Sequence, residues 1–467
     1  MSRRVVILGA GPAGLGAALG LAQRGFPVTV LERGDRVGGN AGSFEIDGIR
    51  VDYGSHRLHP ATDPQIFEEI QELLGDDLLE RPRHGRIHLL GRFLHFPLKP
   101  IDLLLRTPPR FALGVGRDLL GRLLPRRAPS RETFATVLER GLGPTICRDF
   151  YFPYARKIWG LEPSEIAVAQ ARRRVSAGSI GKLLRRLLPG AGQGAATTQG
   201  TFFYPRRGFG QIAEAYADAA QAAGATLHLG TTAQAVRRTA TGTFEIDTEE
   251  GTIEADHVWS TIPNAVLARL FEPAPPNAVL EATKRLELRS MLLVYLVLET
   301  TRFTEYDAHY FPAADIPFSR LSEPRNYAAL SEPSDRTILC AEFPCSREDA
   351  LWSASDAELA DTVRNGLARA GLPVEARVTR VVVRRLPAAY PIYRDGYEAP
   401  FEAIDTFLTG CDRLLTFGRQ GLFAHDNTHH ALAMARGATE CLRDDGTFDE
   451  ARWQAYRAVF ETHVVED

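Results

Sequence analysis

The sequence predicts an α/β chain with a parallel sheet covered by helices and a second, mostly antiparallel sheet. Three observations carry this. An apolar run, Val5-Val6-Ile7-Leu8, breaks into Gly9-Ala10-Gly11-Pro12-Ala13-Gly14, a helical pattern, and a second apolar run from Phe26 to Leu31. Much later, a continuous apolar stretch, Met291 to Leu298, is followed by ILCAEF and RVTRVVVRRL with polar turns between, the pattern of an antiparallel sheet. Finally, 467 residues exceed one ordinary core and call for two or three substructures.

The opening unit reads as G-x-G-x-x-G between strand and helix. Gly9 permits the tight turn, Gly11 lets backbone approach a pyrophosphate, and Gly14 lets the helix pack closely. Pro12 and Ala13 open that helix, whose free N–H groups and positive dipole end suit phosphate. Glu32 ends the second strand eighteen residues after Gly14, placed to accept hydrogen bonds from a ribose, with Arg33 beside it. Strand, helix, strand and acid in this order predict dinucleotide binding.

Six residues after Glu32 comes Gly38-Gly39-Asn40, in ERGDRVGGN. This continuation resembles the FAD-binding domain of the superfamily of amine oxidases, protoporphyrinogen oxidases, phytoene desaturases and UDP-galactopyranose mutases. The resemblance implies a Rossmann-type, glutathione-reductase-like FAD-binding domain with an inserted α+β substrate domain and cap helices. It implies non-covalent FAD. The expected division is 1–75, 205–265 and 411–467 for the FAD domain, with 76–204 and 266–410 for the cap.

Composition narrows the class. The chain is 44% hydrophobic and 24% charged with net charge −3, which suits a globular protein and gives no reason to expect nucleic acid as a partner. Five cysteines without a C-x-x-C pair argue against a disulfide framework or zinc site and suit a reducing cytoplasm. The first strand begins too early for a signal peptide, and no run of eighteen apolar residues suggests a membrane span.

After Asn40, SFEIDGIRVDYGSH alternates as a hairpin turning at Asp47-Gly48 and delivers Asp52-Tyr53-Gly54-Ser55-His56. This resembles the D-x-G-G-H element of the mutases, with Ser55 in place of the second glycine. The likeness implies that Ser55 and His56 lie beside the flavin. Asp63-Pro64 caps a helix with Ile66, Ile70, Leu73 and Leu74 on one face, ended by Gly75. From Arg81 to Arg131, twelve Lys/Arg face only Asp102 and Asp118, interleaved with Leu-rich pieces. These read as basic amphipathic cap helices, with peripheral membrane contact or an apolar or phosphorylated substrate as the functional version.

Residues 150 to 175 contain F-x-x-P-Y-x-x-K-I-W-G, similar to a segment of the mutases and their bacterial relatives. Physically it is an aromatic cluster beside Arg156 and Lys157. TFFYPRRGFGQ leads into a helix over about 212–223, then two short strands, the hairpin TFEIDTEEGTIEAD and the strand HVWSTIP. By resemblance, backbone at Val236 contacts the adenine. Ser355 with Glu358 makes a capping box for a helix burying Leu359, Val363 and Leu367. Tyr390-Pro391-Ile392-Tyr393 resembles the element preceding the final return, and its tyrosines are expected to line the flavin's open face.

That return, LLTFGRQGLFAHDNTHHALAMARGA, resembles the G-R elements of the same superfamily. It implies a strand to Gly418, a loop crossing the flavin with Arg419, and a helix from Thr428 whose N-terminus faces the ring, with Asn427 and Thr428 as polar contacts. A helix N-terminus favours the negative charge of reduced flavin. His425, His429 and His430 lack a matching carboxylate or cysteine cluster, so no metal is expected.

The functional expectation is an FAD-dependent oxidoreductase that oxidises or desaturates a small molecule by hydride transfer to flavin N5, with dioxygen or another acceptor taking the electrons. His56 and Arg419 are expected to tune the flavin, and Tyr390, Tyr393 and His425 to touch substrate. The alternative is a mutase-like, redox-neutral sugar isomerase using reduced FAD, against which stands His425 where the mutases carry a tyrosine that helps bind the substrate's diphosphate. A flavin-binding scaffold without turnover is a third reading, disfavoured by the intact cofactor motifs.

Overall fold

The computed structural model describes residues 4–96, 106–121, 131–174, 200–328, 330 and 332–465. A five-stranded parallel sheet is assembled from distant stretches: Leu414–Thr416, His257–Ser260, Val5–Leu8, Val28–Glu32 and Thr226–Leu229, in that spatial order. Side chains alternate across a strand, so Val5 and Ile7 enter one core while Val6 and Leu8 enter another. The first core holds helices Pro12–Gln23, Gln211–Ala222 and Thr428–Cys441. The second holds a four-stranded sheet, Gly251–Ala255, Phe244–Thr248, Ala235–Arg238 and Phe271–Glu272.

Helices Asn277–Arg285 and Glu398–Thr409, outside the expected limits of the nucleotide-binding part, also enter this second core through Val279, Ala282, Ile404 and Leu408.

The other large sheet has seven strands, with Leu288–Leu298 paired antiparallel to both Val378–Pro391 and Thr337–Cys345. One of its pairs is parallel, Ala308–Tyr310 with Gly85–Leu89. Met291, Leu293, Tyr295 and Val297 face one core, and Leu292, Val294, Leu296 and Leu298 face another, closed by helix Asp356–Arg369. Burial on both faces explains why that strand reads as unbroken apolar sequence.

The hairpin Ser43–Ile46 with Ile49–Asp52 forms as expected, and Asp47 (φ 48°) and Gly48 (φ 79°) make its left-handed two-residue turn. Asp63 Oδ1 caps helix Pro64–Leu74 by accepting from the N–H groups of Gln65 and Ile66. The Ser355–Glu358 capping box is also formed.

The basic region departs from the helical expectation. Gly85–Leu89 and Arg92–Phe96 are a hairpin at the end of the seven-stranded sheet, because Ile87, Leu89 and Leu94 alternate into a core that helical spacing would not fill. Among the described residues the next helix is Pro109–Gly121. The basic Leu-rich pieces at 101–105 and 181–190 lie outside the described residues. The loop expected after Gly418 is a short helix, Gly418–Gly421. Among the described residues, no helix is long and apolar enough to cross a membrane.

Candidate active site

A cavity of about 700 Å³ lies between the parallel sheet and the seven-stranded one. Its floor is the glycine turn. Gly9 takes φ 103°, and a Cβ on Gly14 would stand 2.0 Å from the Gly9 carbonyl oxygen, so only glycine lets the helix approach this closely. A Cβ on Gly11 would meet nothing within 4 Å, because this glycine faces the cavity. Helix Pro12–Gln23 starts there with no side-chain cap and no acid in its first turn.

Glu32 fastens this turn: its Oε2 accepts from Ala10 N–H at 2.9 Å and its Oε1 from Gly34 N–H at 2.8 Å. Gly38 N–H donates to Ala10 O at 2.8 Å, which draws Gly38-Gly39 against the same turn.

Of the residues singled out in the sequence, Gly9, Gly11, Pro12, Ala13, Glu32, Arg33, Gly38, Gly39, Asn40, Ser55, His56, Tyr390, Arg419, His425, Asn427 and Thr428 all line this cavity. Four others stand behind the wall. Gly14 packs under the turn, and Gly418 (φ 77°) is held close to Ala13, where a Cβ would come within 2.7 Å of the alanine methyl. Val236 is fully buried in the core and its N–H donates to Leu270 O, so the cavity wall at that end is Thr231, Thr232 and Ala233 instead. Tyr393 is also a correction: its hydroxyl donates to Phe423 O at 2.9 Å and accepts His425 N–H at 2.9 Å. It supports His425 from behind, while Tyr390 stacks on the His425 ring at 5.1 Å and 5°.

His56 is half-buried at the cavity wall, stacked on Phe209, with Nε2 3.0 Å from Tyr53 O. Burial holds its pKa below the ordinary value, opposed by the nearby Asp52 carboxylate. A neutral ring beside a carbonyl carries its proton on Nε2, leaving Nδ1 as the acceptor. Behind it, Asp52 accepts from Ser43 Oγ (2.6 Å), Tyr204 Oη (2.6 Å) and Phe209 N (2.8 Å), yet burial raises its pKa.

The sequence reading missed Arg57, Arg320 and Glu342. Arg320 grips Glu342 through two hydrogen bonds, and Arg57 Nη2 reaches Asp307 at 3.1 Å and donates to Tyr327 Oη, while its Nη1 donates to Tyr310 Oη. The available signal was Glu342 itself, a carboxylate inside the otherwise apolar ILCAEF. Around these charges the wall is apolar, with Ile158, Met291, Leu293, Leu386 and Tyr390.

The expectation of no carboxylate near the late histidines is overturned: Asp426, His430 and His463 gather their donor atoms within 4.8 Å of one another. Their arrangement is a hydrogen-bonded stack. His430 and His463 lie face to face, centroids 4.1 Å apart at 14°, and His463 Nδ1 is 3.1 Å from Asp426 Oδ2. A cation shared between two such rings would stand about 2 Å out of each plane, whereas imidazole binds metal along the in-plane lone pair of a ring nitrogen.

Comparison with known proteins fits this geometry. Residues 12–431 match the family of flavin-containing amine oxidoreductases, from the glycine turn to the helix that meets the cavity. The chain belongs to that family. This flavin-containing oxidoreductase is an enzyme, and FAD is its cofactor. It is 26% identical over 356 residues to protoporphyrinogen oxidase of Bos taurus, covering 68% of this chain and 72% of that protein. In fold it resembles reduced UDP-galactopyranose mutase, with a TM-score of 0.81 at 21% identity over 99% of this chain and 100% of the other. It also resembles wild-type putrescine oxidase bound to putrescine, with a TM-score of 0.65 at 18% identity over 94% and 98% of the two chains.

Proposed function

We propose that this flavin enzyme is an oxidase or desaturase that removes hydride from a small, largely apolar molecule held in the cavity. FAD, when bound, would supply the hydride acceptor and a route for the electrons to dioxygen or another acceptor. The open face of Gly11 and the uncapped helix start suit its diphosphate, Glu32 and Arg33 its ribose, and Thr231 to Ala233 its adenine end. The expected Rossmann-type division of the chain, with FAD held non-covalently, rests on this same reading.

The chain's own residues have separate tasks. Neutral His56 holds the Tyr53–Ser55 turn through its Nε2 proton, and the Arg320–Glu342 pair grips that turn from the other sheet. The start of helix Thr428–Cys441, with Asn427 as N-cap, favours negative charge at its end of the cavity. Ile158, Met291, Leu293 and Leu386 exclude water from the substrate side.

One observation carries oxidation over the redox-neutral alternative. Arg57 and Arg320, two of the cavity's cations, are already held by Asp307 and Glu342 beside an apolar wall, an arrangement poor for a sugar diphosphate. The mutase reading keeps the support of the whole-chain likeness in fold and of exposed Arg347 at the cavity. The test is anaerobic reduction with dithionite, then rapid mixing with aerated buffer, with and without UDP-galactose. Fast reoxidation indifferent to the sugar nucleotide is expected; slow reoxidation with a sugar-dependent spectral change would overturn this reading in favour of the mutase.

A further inference from the structure

Helix Pro109–Gly121 has two faces of opposite character. Phe111 is 3% exposed and packs with Ile87, Leu89, Leu94 and Tyr310, and Val115 leans on the same cluster. Asp118 Oδ2 accepts from Thr145 N–H at 2.7 Å, and a Cβ on Gly114 would meet Thr145 Oγ1 at 2.7 Å. Positions 111, 114, 115 and 118 therefore form the seated face.

Opposite them stand Leu113 and Leu120, 74% and 69% exposed and seven residues apart on one side of the helix. With Leu119, this helix supplies three of the six large hydrophobic side chains exposed among the described residues. Exposed Arg110 and Arg117 flank the two leucines. The wider sequence repeats the bias, with twelve Lys/Arg against two Asp from 81 to 131 in a chain of net charge −3.

We propose that this face docks on an anionic phospholipid surface. Leucines on a short helix seated in the fold, rimmed by arginines, match the chemistry of the interface: apolar side chains enter the acyl boundary while guanidinium groups meet phosphate. A helix of thirteen residues, about 20 Å long, lies in the plane and does not cross. Charge selects this occupant over a second copy, since two copies would bring the same arginines together. Tyr154 packs against the cluster under this helix and also lines the cavity. The cluster that seats the docking helix thus continues to the cavity wall through Tyr154, on the side from which a substrate dissolved in the bilayer would be presented.

The test is sedimentation of the FAD-loaded full chain with vesicles of phosphatidylcholine alone or mixed with phosphatidylglycerol, at low and high salt. Binding to the mixed vesicles, weakened by salt and absent on the neutral ones, is expected. Arg110→Gln and Arg117→Gln each lower it about fivefold, and Leu113→Ser with Leu120→Ser lowers it about tenfold or more. Flavin absorbance and melting temperature of the serine variant report that it is folded. Wild-type chain remaining in the supernatant, or pelleting undiminished in the folded serine variant, overturns the proposal. So does light scattering that shows a dimer dissolved by the serine substitutions without any vesicle binding. Because vesicle binding is read without turnover, this result and the redox test stand apart.

Discussion

Arg320 and Glu342 meet as a fork on a carboxylate, Nε to Oε1 at 2.9 Å and Nη2 to Oε2 at 2.8 Å. The same pair holds Ser55 at both ends of its peptide frame: Glu342 accepts its N–H at 2.8 Å and Arg320 donates to its carbonyl at 3.1 Å. One ion pair from the seven-stranded sheet therefore fixes the turn that carries His56.

Breaking the pair from one side leaves a charge without its partner in a poorly solvated place, since the side chains are 20% and 5% exposed. Glu342→Gln is expected to cost about 3–5 kcal/mol in urea unfolding, near the loss seen when one partner of a buried pair is removed. Arg320→Met with Glu342→Leu should cost less than the single change, because no charge is stranded. Single and double variants that simply add would show that the pair is not coupled.

Two glycines of one turn predict opposite outcomes. Gly11→Ala adds a methyl where nothing lies within 4 Å, so the apoprotein should melt close to wild type. The methyl enters the cavity, so FAD retained per chain, read from absorbance, should fall about tenfold or more. Gly14→Ala puts a methyl 2.0 Å from the Gly9 oxygen and is expected to prevent folding. A Gly11→Ala chain with full flavin content would remove the diphosphate from this turn.

This contrast also marks what a sequence can show. Gly9 to Gly14, Glu32, Gly38 and Gly39 were legible because their constraint is local: a turn, a strand end and a helix start imprint residue types at fixed spacing. Arg320 and Glu342 were not, because Glu342 reaches Ser55 across 287 positions and pairing at that distance leaves no periodic trace. Val236 and Tyr393 were assigned to the wall while they stand behind it. Their motifs fix which chain segment passes the site, but strand register and packing decide which residue of it faces inward. In the basic region, the Gly85–Phe96 hairpin was hidden for a related reason: charge clustering was read as a surface helix, whereas alternation of Ile87, Leu89 and Leu94 carried the strand.

Tyr393 makes a prediction of its own. Tyr393→Phe deletes one hydroxyl and with it the acceptor for His425 N–H and the donor to Phe423 O, all buried. Stability should fall by about 1–3 kcal/mol. The flavin absorbance band should shift as His425 and its stacked partner Tyr390 resettle on the cavity wall. A variant with lowered stability and an unchanged flavin spectrum would confine Tyr393 to the core.

Lys157 offers a test through pH. Its ammonium sits among four backbone carbonyls, those of Phe311 (2.5 Å), Ala313 (2.5 Å), Ile316 (2.6 Å) and Phe318 (3.3 Å), closing the segment that leads into Ser319 and Arg320. Burial pushes its pKa from 10.5 down to about 7, with Asp315 pulling weakly the other way. Across that interval the unfolded chain holds the proton that the folded chain has released, so stability rises with pH from about 7 toward 10.5 and is lowest below it. The slope can reach about 1.4 kcal/mol per pH unit. Lys157→Met keeps the stem but has no proton to release, so its urea stability should stay flat where the wild type climbs. Equal slopes in the two proteins would mean that the carbonyls hold the ammonium charged throughout, and that the cage works as a fixed clamp on the Phe311–Phe318 segment.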